Sequence, residues 1–234
     1  LVGDIMKRIL GIPEFEKSMW KEWLLEALGS NLISAFLHGD CLMPGFNPFK
    51  QNWEMSFILK DNSPESLEPL QGLLKSAAKT GVSFGFFFTK ESIEQSKDTF
   101  PLEFLHIANR HACILGEEPL PNFTIDYQAL RLQCERELRG QLIQIRRQFV
   151  YMKQGKTLLD FFLDTERQVL PLFYGVYFLN HKIYPESHDA VYEEYPFLKI
   201  QPPTRDEKEV TKRAHDYILA LTQTVNTIDS MEIQ

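Results

Sequence analysis

No apolar run in the chain approaches the roughly 18 uninterrupted residues of a membrane-spanning helix. The most apolar stretch, Val169–Leu179, is about half that length and carries Pro171. Positive charge is also scarce. Lys and Arg number 25 against 32 Asp and Glu, a net charge of −7. That balance excludes a protein that coats DNA or RNA through a concentrated basic surface. Cysteine is limited to Cys41, Cys113 and Cys134, with no CxxC pair. A disulfide framework or a structural zinc site is thereby excluded, and a reducing cytoplasm is the expected location. His106 and His111 stand five apart, which suits neither one helix face nor a common metal spacing. Gly and Pro are too few, at 12 and 13 of 234 residues, for a collagen-like or low-complexity chain. What the chain does have is aromatic mass. Its 18 Phe, 8 Tyr and 3 Trp supply ample core and exclude disorder as the main state. Near the N-terminus Asp4, Lys7 and Arg8 interrupt the apolar residues, so no signal-peptide layout is expected there.

The texture changes near Pro121. Up to that point the pattern is mixed. Phe15–Leu28 has helical spacing, with Gly29 as its stop. Leu32–Leu37 and Asn52–Leu59 read as strands flanking a turn-rich stretch, Gly39–Gln51. Ser63–Thr80 reads as helix, with Ser63 as N-cap and Pro64 in the first helical position. Val82–Phe88 is a strongly aromatic strand whose rings are expected to pack a sheet. Leu102–Ile107 and His111–Leu115 read as two further short strands. After Pro121 helical periodicity takes over. Tyr127, Leu130, Cys134, Leu138, Leu142, Ile145 and Phe149 step by threes and fours along one long helix. Lys156–Lys182, Val191–Leu198 and Asp206–Asp229 continue the pattern. The predicted fold class is α+β. A small mixed-sheet domain over residues 1–121 precedes an all-α helical bundle over 122–234. The cleft between two such domains is the default location of a site.

One segment carries chemistry. Phe36-Leu-His-Gly39-Asp40 leads through the turn residues to Asn52-Trp-Glu54-Met-Ser56. Side chains alternate along a strand, so Asn52, Glu54 and Ser56 share one face and Trp53, Met55 and Phe57 the other. A glycine turn before the strand lets backbone N–H groups approach an anion. Oxygen ligands at i and i+2 suit a hard cation such as Mg²⁺. Glu103 is placed to join them from a neighbouring strand.

At these residues the chain resembles the nucleotidyltransferase superfamily, and within it the aminoglycoside-adenylyltransferase-like proteins that add a C-terminal helical bundle. Phe100-Pro-Leu-Glu-Phe-Leu-His-Ile, His111-Ala-Cys-Ile-Leu-Gly116 and Leu130-Arg-Leu-Gln-Cys-Glu-Arg-Glu-Leu-Arg-Gly140 share the look of that group. The resemblance implies a polymerase-β-like fold that uses Mg²⁺ and a nucleoside triphosphate. It assigns His38, Gly39 and Asp40 to the nucleotide, Asn52, Glu54 and Glu103 to the metal, and Glu54 and Glu103 to catalysis, with Glu103 as general base. The implied partners are a nucleotide and a small-molecule or protein acceptor, with no membrane and no nucleic acid. Two positions depart from the pattern. Asp40 stands where the family has Ser and brings negative charge towards a phosphate. Asn52 stands where it has Asp and lacks the charge that makes Mg²⁺ binding strong. Two readings follow: a transferase with an altered metal site, or a nucleotide-sensing or protein-interaction module on the same fold. Arg131, Arg136, Arg139, Arg146 and Arg147, interleaved with Glu135 and Glu137, read as a solvated helix face with i,i+4 pairing, one or two of them turning towards phosphate as the functional alternative. The aromatics around Tyr174–Phe178 are expected to be buried either within the bundle or across a homodimer.

Overall fold

The computed structural model describes residues 19–44, 46–151, 156–199 and 206–232. By their contacts these form two compact units. One runs to Lys97 and resumes over Glu103–Thr124. The other comprises Asp98–Leu102 and the residues from Ile125 onward.

The first unit is a four-stranded mixed sheet with helices. Its elements in order are α1 (Trp20–Leu28), β1 (Leu32–His38), β2 (Trp53–Leu59), α2 (Pro64–Gln71), α3 (Leu74–Thr80), β3 (Val82–Thr89), α4 (Lys90–Ser96), α5 (Pro101–Asn109) and β4 (His111–Gly116). Only the first two residues of α5 count with the second unit. The strand order is β3-β2-β1-β4. β1 pairs antiparallel with β2 and β4, and β2 pairs parallel with β3. A parallel pair needs a crossover, and α2 with α3 supply it. On one face Leu37, Met55, Phe57 and Leu59 pack under Trp20, Leu24 and Leu28, which recur at i, i+4 and i+8 of α1. On the other face Phe36 and Ile58 pack with Ile93 of α4 and with Phe104 and Ile107 of α5.

Residues 101–109 correct the strand expected at 102–107. They form a helix whose Leu102, Phe104, Leu105 and Ile107 are all buried. A helix buried on more than one side shows apolar residues at spacing two, which imitates strand alternation. Residues 63–80 form two helices rather than one, because the chain breaks around Gly72. Pro64 takes its expected place, but Ser63 makes no side-chain cap and hydrogen-bonds Asp61 instead. The start of the helix read over Phe15–Leu28 lies outside the described residues.

The second unit contains α6 (Tyr127–Tyr151), α7 (Lys156–His181), α8 (His188–Glu194) and α9 (Glu207–Asp229). The predicted stripe of α6 is buried at Leu130, Cys134, Leu138, Leu142 and Ile145. α7 contributes Val169, Phe173 and Val176, and α9 contributes Ala214, Leu221 and Val225. Tyr174 and Phe178 are buried within the chain itself; Phe178 stacks on Tyr127. No helix among the described residues is long and apolar enough to cross a membrane.

The arginine face needs one correction. Its i,i+4 pairs form, Arg131 and Arg139 each binding Glu135 at 3.0 and 2.8 Å. Arg131, however, is buried rather than solvated. Its guanidinium donates to the carbonyls of Ile228 and Asp229 at 3.2 and 3.4 Å, satisfying the carbonyls that end α9. Arg139 adds an ion pair with Asp229 at 2.9 Å. Replacing Arg131 by Met strips Glu135 of one partner and α9 of its clamp. The expected loss is about 3 kcal/mol in urea unfolding. Arg136→Met, at an exposed position, is expected to change stability by less than about 0.5 kcal/mol.

Candidate active site

The site is built where β1 ends. Gly39 adopts φ +77°, a conformation that glycine takes without steric cost, and the chain turns through one 3-10 step, Gly39–Leu42. The carbonyl of exposed Asp40 closes this turn on the amide of Met43 at 3.0 Å. Glu54, second residue of β2, points to the face that carries Phe36 and His38. Its Oε1 lies 3.8 Å from His38 Nε2, and its Oε2 would stand 3.6 Å from a Cβ placed on Gly39.

Behind the carboxylate, β3 bulges. Met55 pairs with Phe84 and Phe57 with Phe87, so Gly85 and Phe86 together oppose Ser56. The bulge turns the amide of Phe86 onto Ser56 Oγ at 2.7 Å. That oxygen also meets His38 Nε2 at 2.7 Å. Ser56 accepts from the amide and keeps both its own proton and a second lone pair for His38, so the contact accommodates either imidazole tautomer. A Cβ at Gly85 would come within 2.6 Å of Ser56 Oγ and 3.1 Å of Glu54 Oε1, so the close approach requires glycine. Phe86, at 38% exposure, lies over His38 with ring centres 5.6 Å apart. The aromatic run packs the sheet at Phe84, Phe87 and Phe88, while Phe86 lies at the site.

Burial decides the charges. It pushes His38 down to about 4, so the imidazole is neutral at physiological pH. Burial, then the nearby Asp40 charge, raises the Glu54 carboxyl above its ordinary value. Burial chiefly pushes the Cys41 thiol up to about 11; it donates to the His38 carbonyl at 3.0 Å and is no nucleophile.

His38, Gly39, Asp40 and Glu54 are therefore brought together. Asn52 is anchored beside them: its Nδ2 donates to Ser83 Oγ at 2.7 Å, and Ser83 is the register partner of Glu54. Glu103 comes from the first turn of α5, not from a strand. Among the described residues no three His, Cys, Asp or Glu side chains converge as a metal cluster. The turn after β1 and the start of β2 carry two carboxylates, Asp40 and Glu54, and the Asn52 amide. That set suits Mg²⁺, which commonly takes one or two carboxylates and completes its shell with phosphate oxygens and water. Ser83, Phe86 and the bulge were missed by sequence reasoning, although Gly85 inside an aromatic strand was a signal for the bulge.

No family model and no curated protein sequence matches the chain. Among solved structures it is similar to spectinomycin adenyltransferase AAD(9) from Enterococcus faecialis, a structure with ATP and spectinomycin. The TM-score is 0.55 at 11% identity, covering 92% of this chain and 98% of that one. The chain has the nucleotidyltransferase fold. A nucleotidyltransferase-like protein from Exiguobacterium sibiricum matches at a TM-score of 0.35 and 13% identity, over 91% of this chain and 74% of that one. Within the nucleotidyltransferase fold of this chain, the four-stranded sheet carries Glu54 and the glycine turn after β1.

The depressed His38 pKa ties stability to pH. The unfolded chain takes a proton near 6.5, whereas the folded chain refuses it down to about 4. The contribution of His38 is thus full above pH 6.5 and falls by about 3 kcal/mol as pH drops towards 4. Glu54, with its pKa raised, acts in the opposite sense. The His38 effect is therefore read as a difference: His38→Gln is expected to flatten the fall in melting temperature between pH 7 and 4.5.

Proposed function

We propose that the chain transfers a nucleoside monophosphate from a nucleoside triphosphate to a hydroxyl group of a small-molecule or protein acceptor. The observation that carries this reading is the Glu54 carboxylate, held against the glycine turn of β1 within a nucleotidyltransferase fold. The turn offers backbone N–H groups to phosphate at His38, Gly39 and Asp40. Mg²⁺, when bound, screens the triphosphate charge as pyrophosphate leaves. Glu54 and Asn52 supply oxygen donors, Glu54 being the charged one. Glu103 accepts the proton of the acceptor hydroxyl. The acceptor oxygen then bonds to the α-phosphorus as the bond to pyrophosphate breaks. Support for Glu103 comes from its helix: Phe104 and Ile107 of α5 pack with Phe36 and Ile58, on the face that carries Glu54. The fold neighbour was captured with ATP and spectinomycin, which favours a small-molecule acceptor.

A second reading is a non-catalytic nucleotide-sensing module. It is favoured by Asn52, whose amide is tied to Ser83 at a position where the family pattern has a charged ligand. Thermal unfolding separates the two. ATP, GTP, CTP and UTP are each added with and without Mg²⁺ or Mn²⁺. One nucleotide is expected to raise the melting temperature by several degrees only with metal, since saturation at about 100 times Kd adds about 2.7 kcal/mol. Glu54→Ala is expected to abolish the shift. A shift without metal supports the sensing module, and no shift with any nucleotide removes the transferase reading.

A further inference from the structure

We infer that the first unit holds a second binding site, for a free α-amino acid with a branched or aromatic apolar side chain, at the end of the sheet away from Glu54. The place is a cavity of about 200 Å³ on the face that carries Phe36 and Ile58. Ile58 follows Glu54 by four residues, which sets the two about 13 Å apart along β2. The cavity opens between α4 and the chain leaving β4, and all of its lining residues belong to the first unit.

The apolar body of the ligand follows from the walls, which are Ile33, Ile58, Ile93, Leu120 and Phe123. Ile58 and Ile93 are buried in the core behind the cavity, whereas Ile33, Leu120 and Phe123 are only partly covered. An apolar group entering the cavity takes that remaining surface out of water. A cavity of about 150 Å³ walled by Leu, Ile and Phe accommodates benzene, so this one has room for a leucine or phenylalanine side chain. Pro119 and Pro121 fix the backbone on either side of Leu120, so this wall is formed before a ligand arrives.

The charged head of the ligand follows from the rim. Lys90 begins α4 and Glu117 follows β4, so their ion pair at 2.7 Å joins the two sides of the cavity. The two side chains are 63% and 65% exposed, and an ion pair so open to water is weakly held. A zwitterion exchanges this one pair for two, its carboxylate meeting Lys90 and its ammonium meeting Glu117. The other charges of the lining are already engaged. Lys97 pairs with Glu94 within α4 at 2.6 Å, and Glu118 bonds His111 at 2.6 Å. A purely anionic head would part Lys90 from Glu117 and sit beside Glu117 as a like charge. A purely cationic head would do the same to Lys90.

Isothermal titration calorimetry of the full chain with free amino acids tests the site, with circular dichroism verifying the fold of each variant. Leucine or phenylalanine is expected to bind at one equivalent per chain, at least tenfold more tightly than alanine. The N-acetyl derivative of the same amino acid, which lacks the ammonium, and its amide, which lacks the carboxylate, are each expected to bind at least tenfold more weakly. Lys90→Gln and Glu117→Gln, at exposed positions, should each weaken binding by a similar factor. Ile33→Trp, which fills the cavity, should abolish it. The inference is overturned if neither amino acid binds, if the amide or the N-acetyl derivative binds as tightly as the parent, or if either rim variant binds like wild type. Nucleotide and metal are left out of every titration, so the outcome is independent of the transferase reading.

Discussion

Ser56 Oγ joins three strands at one atom. It accepts the Phe86 amide of β3 at 2.7 Å and serves His38 of β1 at 2.7 Å, while its own backbone belongs to β2. The serine is fully buried, so each of these bonds forms away from water, and leaving any partner unpaired would cost more than the bond itself contributes. The bulge at Gly85 and Phe86 is the geometric consequence, because only an extra residue aims that amide at the hydroxyl. Gly85 follows in turn, since no side chain fits between Ser56 and Glu54. The placement of the Glu54 carboxylate depends on this node.

Electrostatically the same node makes the site acidic. A histidine beside a carboxylate would ordinarily supply positive charge. Here burial removes that option, and His38 is a neutral hydrogen-bond partner of Ser56. Burial first, and then the nearby Asp40 charge, raises the Glu54 pKa. An acidic end of a sheet suits a cation-bridged phosphate and suits a bare phosphate poorly. The excess negative charge of the chain has the same bias: residues 1–122 carry a net −5 of the total −7.

Much of this was legible in the sequence where the pattern is local. Strands β1, β2, β3 and β4 announce themselves by apolar runs bounded by turn residues, and α6 and α9 by their stripes. The Asn52-x-Glu54-x-Ser56 alternation identified the face that also carries His38, and Gly39 the turn. Elements buried on two sides were illegible, because their apolar residues lose the period that separates helix from strand; α5 is the case in point. Also illegible was any role set by a distant partner. Arg131 looks like its neighbours until α9 delivers the carbonyls of Ile228 and Asp229. Asn52 shows no sign of its tie to Ser83 until the parallel register brings that residue alongside. Neither pairing has a local signature, since 97 and 31 residues separate the partners.

The central claim is that the Gly39–Asp40 turn and Glu54 form one cation-and-nucleotide site. Paramagnetic broadening of backbone amide resonances tests it most directly, with Mn²⁺ and nucleoside triphosphate titrated into isotope-labelled protein. The account predicts that Gly39, Asp40, Cys41 and Glu54 broaden first and that Glu54→Gln removes the effect. Broadening that starts elsewhere on the chain, or persists unchanged in Glu54→Gln, would contradict it.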